Sequence, residues 1–288
     1  MLLSSLKFET AIAQDQMLRR AIPSSGELLP IIGLGTSRVF DVDPQDKDKL
    51  RIRKEIIESL INKGGSLIDT SPMYGRSEEV IGYIYGNHPR REDIFLATKV
   101  WTKGKSEGER QISESFKKMN ASKIELIQIH NLVDWKTQIK TLRKMKETGE
   151  ISYIGITHYK SSSFKEMEDI IKKETIDFAQ FNYSLGEREA ENRLLPLCAD
   201  QGVATIINRP FMRGKLFNLV RGKTLPSWCN DYDIESWGQF FLKYIIANPA
   251  VTNIIPATSK VKNMLDNSLA GLGQIPDSIL QKRMLEIL

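Results

Sequence analysis

The chain has 288 residues, of which 41% are apolar and 27% charged, and its formal net charge is +5. These values are typical of an ordinary globular protein that can bury a sizeable core. The basic residues are scattered, which predicts no nucleic-acid partner, and no apolar run approaches the ~20 residues that span a bilayer, which predicts no membrane segment. Two cysteines and three histidines without ligand-type spacing predict no disulfide framework and no metal site.

The start of the chain carries a weak targeting signal. The segment Ala11-Ile12-Ala13 has the small-x-small pattern that ends an export signal, but a basic leading region and a full apolar stretch are missing. We therefore interpret residues 1–22 as a frayed polar N-terminal extension that is expected to be flexible, with an export-signal remnant as the alternative, and residues 23–288 as one folded domain. The predicted location is the cytoplasm, or an exported compartment if residues 1–13 are such a remnant.

Short apolar segments recur along the chain and predict eight strands. Their hydrophobicity is nearly continuous, which is typical of parallel strands that are covered on both faces. The predicted strands are 30–35, 66–70, 94–100, 125–130, 151–157, 177–183, 203–209 and 251–257.

Amphipathic segments alternate with these strands and predict helices. In the first of them, Leu50, Ile56, Ile57 and Leu60 recur at helical spacing, and Gly64 is a stop signal. The predicted helices are 47–62, 77–85, 106–119, 135–147, 161–173, 187–200, 234–247 and 260–270, followed by an extra C-terminal helix at 277–287.

Eight strand–helix units predict an α/β fold of the (β/α)8 TIM-barrel type in a single domain. A doubly wound sheet is the alternative, and it would carry a glycine fingerprint after its first strand. In "GLGTSR" that fingerprint fails, because Arg38 occupies the place of the third glycine. The barrel is therefore the preferred prediction.

Four side chains with catalytic chemistry are predicted to meet at one end of this barrel. Asp69, Lys99 and His130 end the second, third and fourth predicted strands, 30 and 31 residues apart. Tyr74 lies in the loop that follows Asp69. Because the C-terminal ends of barrel strands share one rim, a carboxylate, an ammonium, an imidazole and a phenol should converge there.

This combination is suited to proton donation. A tyrosine with a pKa near ~10 is a poor acid at neutral pH, and an adjacent ammonium such as Lys99 lowers that value. A pKa of about 7 would require roughly 4 kcal/mol at ~1.36 kcal/mol per unit, and Asp69 would keep Lys99 charged. Such a phenol could protonate the alkoxide that forms when hydride reaches a carbonyl. Since no side chain carries hydride, a cofactor is implied.

Seven segments taken in order resemble the bacterial aldo-keto reductases: "GLGTS", "IDTSPMYGRSEEVIG", "LATKVW", "LIQIHNL", "GEISYIGITHY", "FAQFNYS" and "IIPATSK". The resemblance implies a (β/α)8 barrel that reduces an aldehyde or ketone with NAD(P)H and has no Rossmann domain. It also implies a catalytic tetrad of Asp69, Tyr74, Lys99 and His130, with Tyr74 as the general acid.

The resemblance further implies cofactor contacts, with three departures from the family pattern. Thr157-His158 replace a Ser-Asn pair, Asn208 replaces a stacking tyrosine, and Asn263 replaces an arginine. Lys260 and Lys262 offer charge for a 2′-phosphate, so NADP(H) is expected, with NAD(H) as the alternative. The implied cofactor-binding residues are Gly35, Thr36, Asp69, Thr157, His158, Gln180, Asn208, Arg209, Thr258, Ser259, Lys260, Asn263 and Asn267.

The predicted partner is a small carbonyl substrate, bound by a chain that acts as a monomer. Its pocket is predicted to be lined by Phe40, Tyr74, Trp101, His130 and Asn131. Two other functions stay open. One is a sensor or interaction module that binds NADP(H) with little turnover, and the other is a Schiff-base lyase with Lys99 as the nucleophile.

Overall fold

The described part of the chain begins with a hairpin that the sequence did not predict. A computed structural model describes residues 16–287, so the predicted signal remnant at Ala11–Ala13 lies outside the described residues. Strand β1 (Arg19–Ala21) pairs antiparallel with β2 (Leu28–Pro30). The guanidinium of Arg20 donates to the backbone carbonyls of Ile246 and Asn248 at 2.6 and 2.7 Å, which ties the hairpin to the chain more than 200 residues later.

Eight strands follow, and every neighbouring pair is parallel. They are hydrogen-bonded in the order of the sequence, as expected when each strand is followed by a helix that returns the chain to the same end of the sheet. The strands are β3 (Leu34–Gly35), β4 (Leu67–Asp69), β5 (Phe95–Val100), β6 (Ile124–His130), β7 (Ile151–Thr157), β8 (Phe178–Asn182), β9 (Ala204–Asn208) and β10 (Asn253–Ile254).

The first and last strands meet and close the sheet. Ile32 forms a parallel bridge with Ile254. Gly33 donates its backbone N–H to the Ile254 carbonyl, and Ile254 donates to the Ile31 carbonyl, both at 2.8 Å. The predicted (β/α)8 barrel is confirmed. Its two seam strands are much shorter than predicted, because isolated bonds rather than a continuous ladder join them.

Helices surround the barrel. In the first, Asp46 caps the N-terminus by accepting from the Lys49 N–H, and the apolar side chains predicted to face the sheet are buried. The helices are α1 (Lys47–Asn62), α2 (Ser77–Tyr85), α3 (Lys105–Lys118), α4 (Trp135–Glu147), α5 (Phe164–Lys173), α6 (Leu194–Asp200), α7 (Lys215–Leu219), α8 (Trp237–Ile246), α9 (Val261–Leu269) and α10 (Ser278–Leu285).

Several helix ends are shifted by one to three residues from the prediction, and the structure differs more strongly in two places. The predicted helix 187–200 is interrupted: a 3-10 turn at Glu189–Glu191 precedes α6, whose Pro196 is tolerated in its first turn. The stretch 209–233, predicted as a loop, contains the short α7 and two 3-10 segments. None of the helices among residues 16–287 is both long and apolar enough to span a membrane.

Two apolar cores result. The larger lies between the outer face of the sheet and the helices. The smaller fills the barrel and includes Leu67, Phe95 and Tyr153 from the beginnings of strands together with Ile22 and Leu29 of the hairpin. The Tyr153 hydroxyl also lies 2.7 Å from the Ser25 hydroxyl. The hairpin therefore plugs the end of the barrel where the strands begin, and leaves the opposite end for ligands.

Candidate active site

Four polar side chains lie together at the end of the barrel where the strands finish. Asp69 is the last residue of β4, Lys99 is the next to last of β5, and His130 is the last of β6. The Lys99 ammonium donates to Asp69 Oδ2 at 2.6 Å and to the Thr70 carbonyl at 2.7 Å. It lies 4.9 Å from the centroid of the Tyr74 ring. A fully buried ion pair thus stands directly against the phenol.

The charge on Lys99 is secured by this pairing. Burial alone lowers the pKa of the ammonium, but Asp69 and Tyr74 raise it by more, so that the pKa of Lys99 ends above its ordinary value. Lys99 has no exposed surface and Asp69 only 2%. Lys99 is therefore a protonated point charge at neutral pH.

Tyr74 departs from the expectation drawn from sequence. Burial raises the pKa of its phenol, and the opposing effect of Lys99 does not overcome it, so the pKa of Tyr74 lies above its ordinary value. The expected lowering by Lys99 is present but is outweighed by desolvation, which the sequence does not reveal. Tyr74 is consequently a neutral phenol at pH 7 and holds a proton.

His130 faces Tyr74 as a neutral imidazole. The two rings are almost perpendicular, at 89°, with centroids 5.9 Å apart. Ring Nδ1 lies 3.1 Å from the Ser71 hydroxyl. Burial, with smaller contributions from Lys99 and His158, lowers the pKa of His130 to about 3. The imidazole can therefore form hydrogen bonds at neutral pH without adding positive charge beside Lys99.

Two buried amides complete the floor of the site. Asp69 Oδ1 accepts from Gln128 Nε2 at 2.9 Å and from Gln180 Nε2 at 2.8 Å. Thr157, at the end of β7, donates its hydroxyl to Gln180 Oε1 at 3.1 Å. Gln128 was not singled out from the sequence, although a glutamine inside the apolar run "LIQIH" is a visible signal of an inward-facing polar group.

A cleft of about 930 Å³ opens above this floor. Thirteen of the residues predicted to bind cofactor or substrate line it: Gly35, Thr36, Asp69, Tyr74, His130, Asn131, Thr157, Gln180, Asn208, Arg209, Thr258, Asn263 and Asn267. Within residues 16–287 no cluster of three or more His, Cys, Asp or Glu side chains is placed to hold a metal ion.

Comparison with known proteins agrees with this geometry. Residues 31–281 match the Aldo/keto reductase family. The chain belongs to this family. It is 27% identical over 200 residues to the aldo-keto reductase YhdN of Bacillus subtilis, covering 64% of this chain and 59% of that protein. It is 25% identical over 261 residues to the methylglyoxal reductase YeaE of Escherichia coli, covering 88% of this chain and 89% of that protein.

The fold also matches a solved structure. An aldo/keto reductase from Klebsiella pneumoniae in complex with NADP and acetate superposes with a TM-score of 0.75 at 21% identity, covering 90% of this chain and 91% of that one. At this identity the likeness concerns the fold, and it agrees with the eight-stranded parallel barrel described above.

Five residues of this aldo-keto reductase that were predicted to bind ligands do not line the cleft. Phe40 is fully buried in the larger apolar core between the sheet and the helices, where it packs against other apolar side chains. His158 is turned aside, accepting from the Lys160 N–H at 3.1 Å and lying 3.2 Å from the Ser163 hydroxyl. Trp101 is 37% exposed, with its ring 6.5 Å from that of His130. The remaining two, Ser259 and Lys260, are exposed.

The cleft also has lining residues that sequence reasoning missed. Arg38 and Arg213 are cationic, and Tyr159 carries the Arg209 guanidinium over its ring, 3.9 Å from the centroid. Arg38, Arg209 and Arg213 all have positive φ, between 52° and 66°. Non-glycine residues in this region concentrate at ligand sites, but a sequence gives no sign of them.

The walls of the cleft contain a tightly packed glycine and two buried acceptors without partners among the described residues. A Cβ at Gly35 would lie 2.9 Å from the Ile255 carbonyl, so the backbone there leaves room for no side chain. Asn131 and Asn208 each have a buried Oδ1 atom without a hydrogen-bond partner among the described residues. Because buried acceptors normally find donors, these two are free to receive them from a ligand.

Proposed function

We propose that this protein is an NADP(H)-dependent reductase of small aldehydes or ketones, with Tyr74 as the proton donor. The observation that carries the proposal is the buried Asp69–Lys99 pair standing against a protonated phenol at the floor of a cleft. Members of the family are oxidoreductases, and one relative is named a methylglyoxal reductase.

The side chains divide the work of this reaction. Tyr74 gives its proton to the carbonyl oxygen as negative charge develops there, because an alkoxide is a stronger base than a phenolate. Lys99, held charged by Asp69, stabilises the phenolate left behind. His130, neutral, orients the carbonyl oxygen by a hydrogen bond. The nicotinamide cofactor, when bound, supplies the hydride.

Cofactor binding is assigned to the remaining lining residues. Gln180, Thr157 and Asn208 surround the floor and suit the carboxamide end. Arg209 and Arg213 have no acidic partner within 4.0 Å among the described residues. The pKa of Arg209 is lowered mainly by burial and, to a smaller extent, by the positive charge of Arg213. Two guanidinium groups close enough to repel each other suit the phosphates of a dinucleotide.

The test begins with fluorescence titration of NADPH and NADH, followed by turnover with a panel of carbonyls that includes methylglyoxal. Tight binding of NADPH with steady oxidation by several aldehydes supports the proposal. Binding without turnover would instead identify a cofactor sensor. A preference for NADH would show that the cofactor is NAD(H) instead of NADP(H), and it would leave the proposed reaction mechanism unchanged.

The Schiff-base alternative receives no support from the geometry. A lyase needs a neutral, accessible lysine, whereas Lys99 is fully buried, bonded to a carboxylate, and has a raised pKa. Borohydride with a carbonyl substrate should therefore leave Lys99 unmodified, as read by intact mass.

A further inference from the structure

Gln128 is a buried polar residue to which the proposed mechanism gives no part. It lies in β6, two residues before His130, and has no exposed surface. Its side chain does not line the cleft, so it touches no ligand there. Both ends of its amide are nevertheless engaged: Nε2 donates to Asp69 Oδ1 at 2.9 Å, and Oε1 accepts from Gln180 Nε2 at 3.1 Å.

These contacts determine the direction of every amide in the network. An ionised Asp69 only accepts, so both glutamines must turn their Nε2 atoms toward it. The second Nε2 hydrogen of Gln180 then meets Gln128 Oε1. With both of its donors used, Gln180 has spare capacity only at Oε1, which already accepts from Thr157. Gln180, which does line the cleft, can therefore offer a ligand only an acceptor.

The neighbouring strand leaves room for this side chain. Gln128 pairs with Gly155 of β7 in the register of the sheet. A Cβ at Gly155 would lie 2.9 Å from Gln128 Cγ and 3.1 Å from the Phe178 carbonyl. Any side chain at this position would push the glutamine away from Asp69. The absence of a side chain at Gly155 is therefore required for Gln128 to reach Asp69.

We propose that Gln128 is a positioning residue for the reduction. Its hydrogen bond to Asp69 Oδ1 holds the carboxylate so that Oδ2 faces Lys99. Its hydrogen bond from Gln180 Nε2 orients the Gln180 amide so that Gln180 Oε1 can accept a hydrogen bond from the carboxamide N–H of the nicotinamide. This inference depends on the proposed function. A wild-type protein that oxidises no NADPH with any carbonyl would overturn the proposed function, whereas the variants below address Gln128 alone.

The first experiment replaces Gln128 by leucine, which keeps the bulk and removes both hydrogen bonds. The matched control is Gln138→Leu in α4, where an equally buried glutamine donates to the Thr102 and Gly104 carbonyls. Both variants should lose thermal stability. Only Gln128→Leu should lower kcat by at least about tenfold and weaken NADPH binding. Equal kcat in the two variants would overturn the proposal.

A second experiment tests the direction of the hydrogen bond. In Gln128→Glu an ionised carboxylate would repel Asp69, whereas a protonated one could donate to it. The activity of this isosteric variant, expressed relative to wild type at each pH, should rise as pH falls from 8 to 5. Bulk alone would give a ratio independent of pH. A flat ratio in a variant that circular dichroism shows to be folded contradicts the proposal.

Discussion

At the scale of single residues, Tyr74 shows how burial and charge compete. The sequence predicted that Tyr74 and Lys99 would meet, because Lys99 ends a strand and Tyr74 follows the end of the strand beside it. It could not predict the direction in which the pKa of Tyr74 moves, since that depends on how much water the fold removes. The residues at strand ends and the charge on Lys99 were therefore anticipated, whereas the raised pKa of Tyr74 was not.

Replacing Tyr74 by phenylalanine removes one oxygen and the donated proton. We expect turnover of NADPH with an aldehyde to fall by about 10² to 10⁴, the usual contribution of a general acid, while NADPH binding is largely kept. Tyr83→Phe, at an exposed position in α2, is the matched control and should keep full turnover. Full activity in Tyr74→Phe would require another proton donor.

His130 gives a prediction about stability and pH. Its pKa in the folded protein is about 3 against an ordinary 6.5, so between these values the unfolded chain binds the extra proton and stability falls as pH falls. At pH 5 this costs about 2 kcal/mol, from about 1.5 pH units at ~1.36 kcal/mol each.

Urea unfolding at pH 7 and pH 5 measures this effect. Wild type should lose about 2 kcal/mol more of its free energy of unfolding over this interval than His130→Gln, whose amide does not titrate. Equal losses in the two proteins would show that the imidazole is not protected from protonation by the fold.

At the scale of elements, periodicity found the eight barrel strands and every α-helix except the short α7, but it missed the N-terminal hairpin. β1 and β2 have three residues each, too few for an alternating pattern, and two of the three in β1 are arginines. What places them is tertiary: Arg20 bonds to carbonyls at the end of α8, and Ile22 inserts into the barrel. Phe40 was misjudged for a related reason, because its position after a strand did not show which core it would join.

The hairpin contributes to stability through inserted side chains, of which Ile22 is one. Ile22→Ala should lower the free energy of unfolding by about 2 to 5 kcal/mol, since Ile22 has no exposed surface and a cavity would remain. Leu28→Ala in the same hairpin is the control, because Leu28 is 56% exposed and should change stability by less than about 0.5 kcal/mol. Chemical denaturation measures the free energy of unfolding of both variants. A large loss only in Ile22→Ala supports insertion of the hairpin into the barrel, and small losses in both would show that the hairpin packs only on the surface.

At the scale of the whole molecule, the alternation of strands and helices was enough to predict the closed barrel. The seam was beyond reach, because its strands have two residues each and are held by single bonds around Ile32 and Gly33. The shape of the cleft was equally hidden, since left-handed backbone at Arg38, Arg209 and Arg213 turns these side chains in ways that spacing cannot show.

The seam can be tested at Gly35. A methyl group there would stand 2.9 Å from the Ile255 carbonyl across the closure, so Gly35→Ala should force the two edges apart and destabilise the protein by about 1 to 3 kcal/mol. The melting temperature measures this directly. An unchanged melting temperature would mean that the two edges separate freely.

The plug formed by Ile22 and Leu29 has a kinetic consequence. Because it closes the end where the strands begin, ligands can enter the barrel only from the rim where the strands finish. Two ligands that bind in a cleft with one entrance cannot exchange independently. The ligand at the floor must bind before the ligand above it and dissociate after it. With the nicotinamide end assigned to the floor, as proposed above, steady-state inhibition patterns should show a compulsory sequence of binding in which the nucleotide is first on and last off.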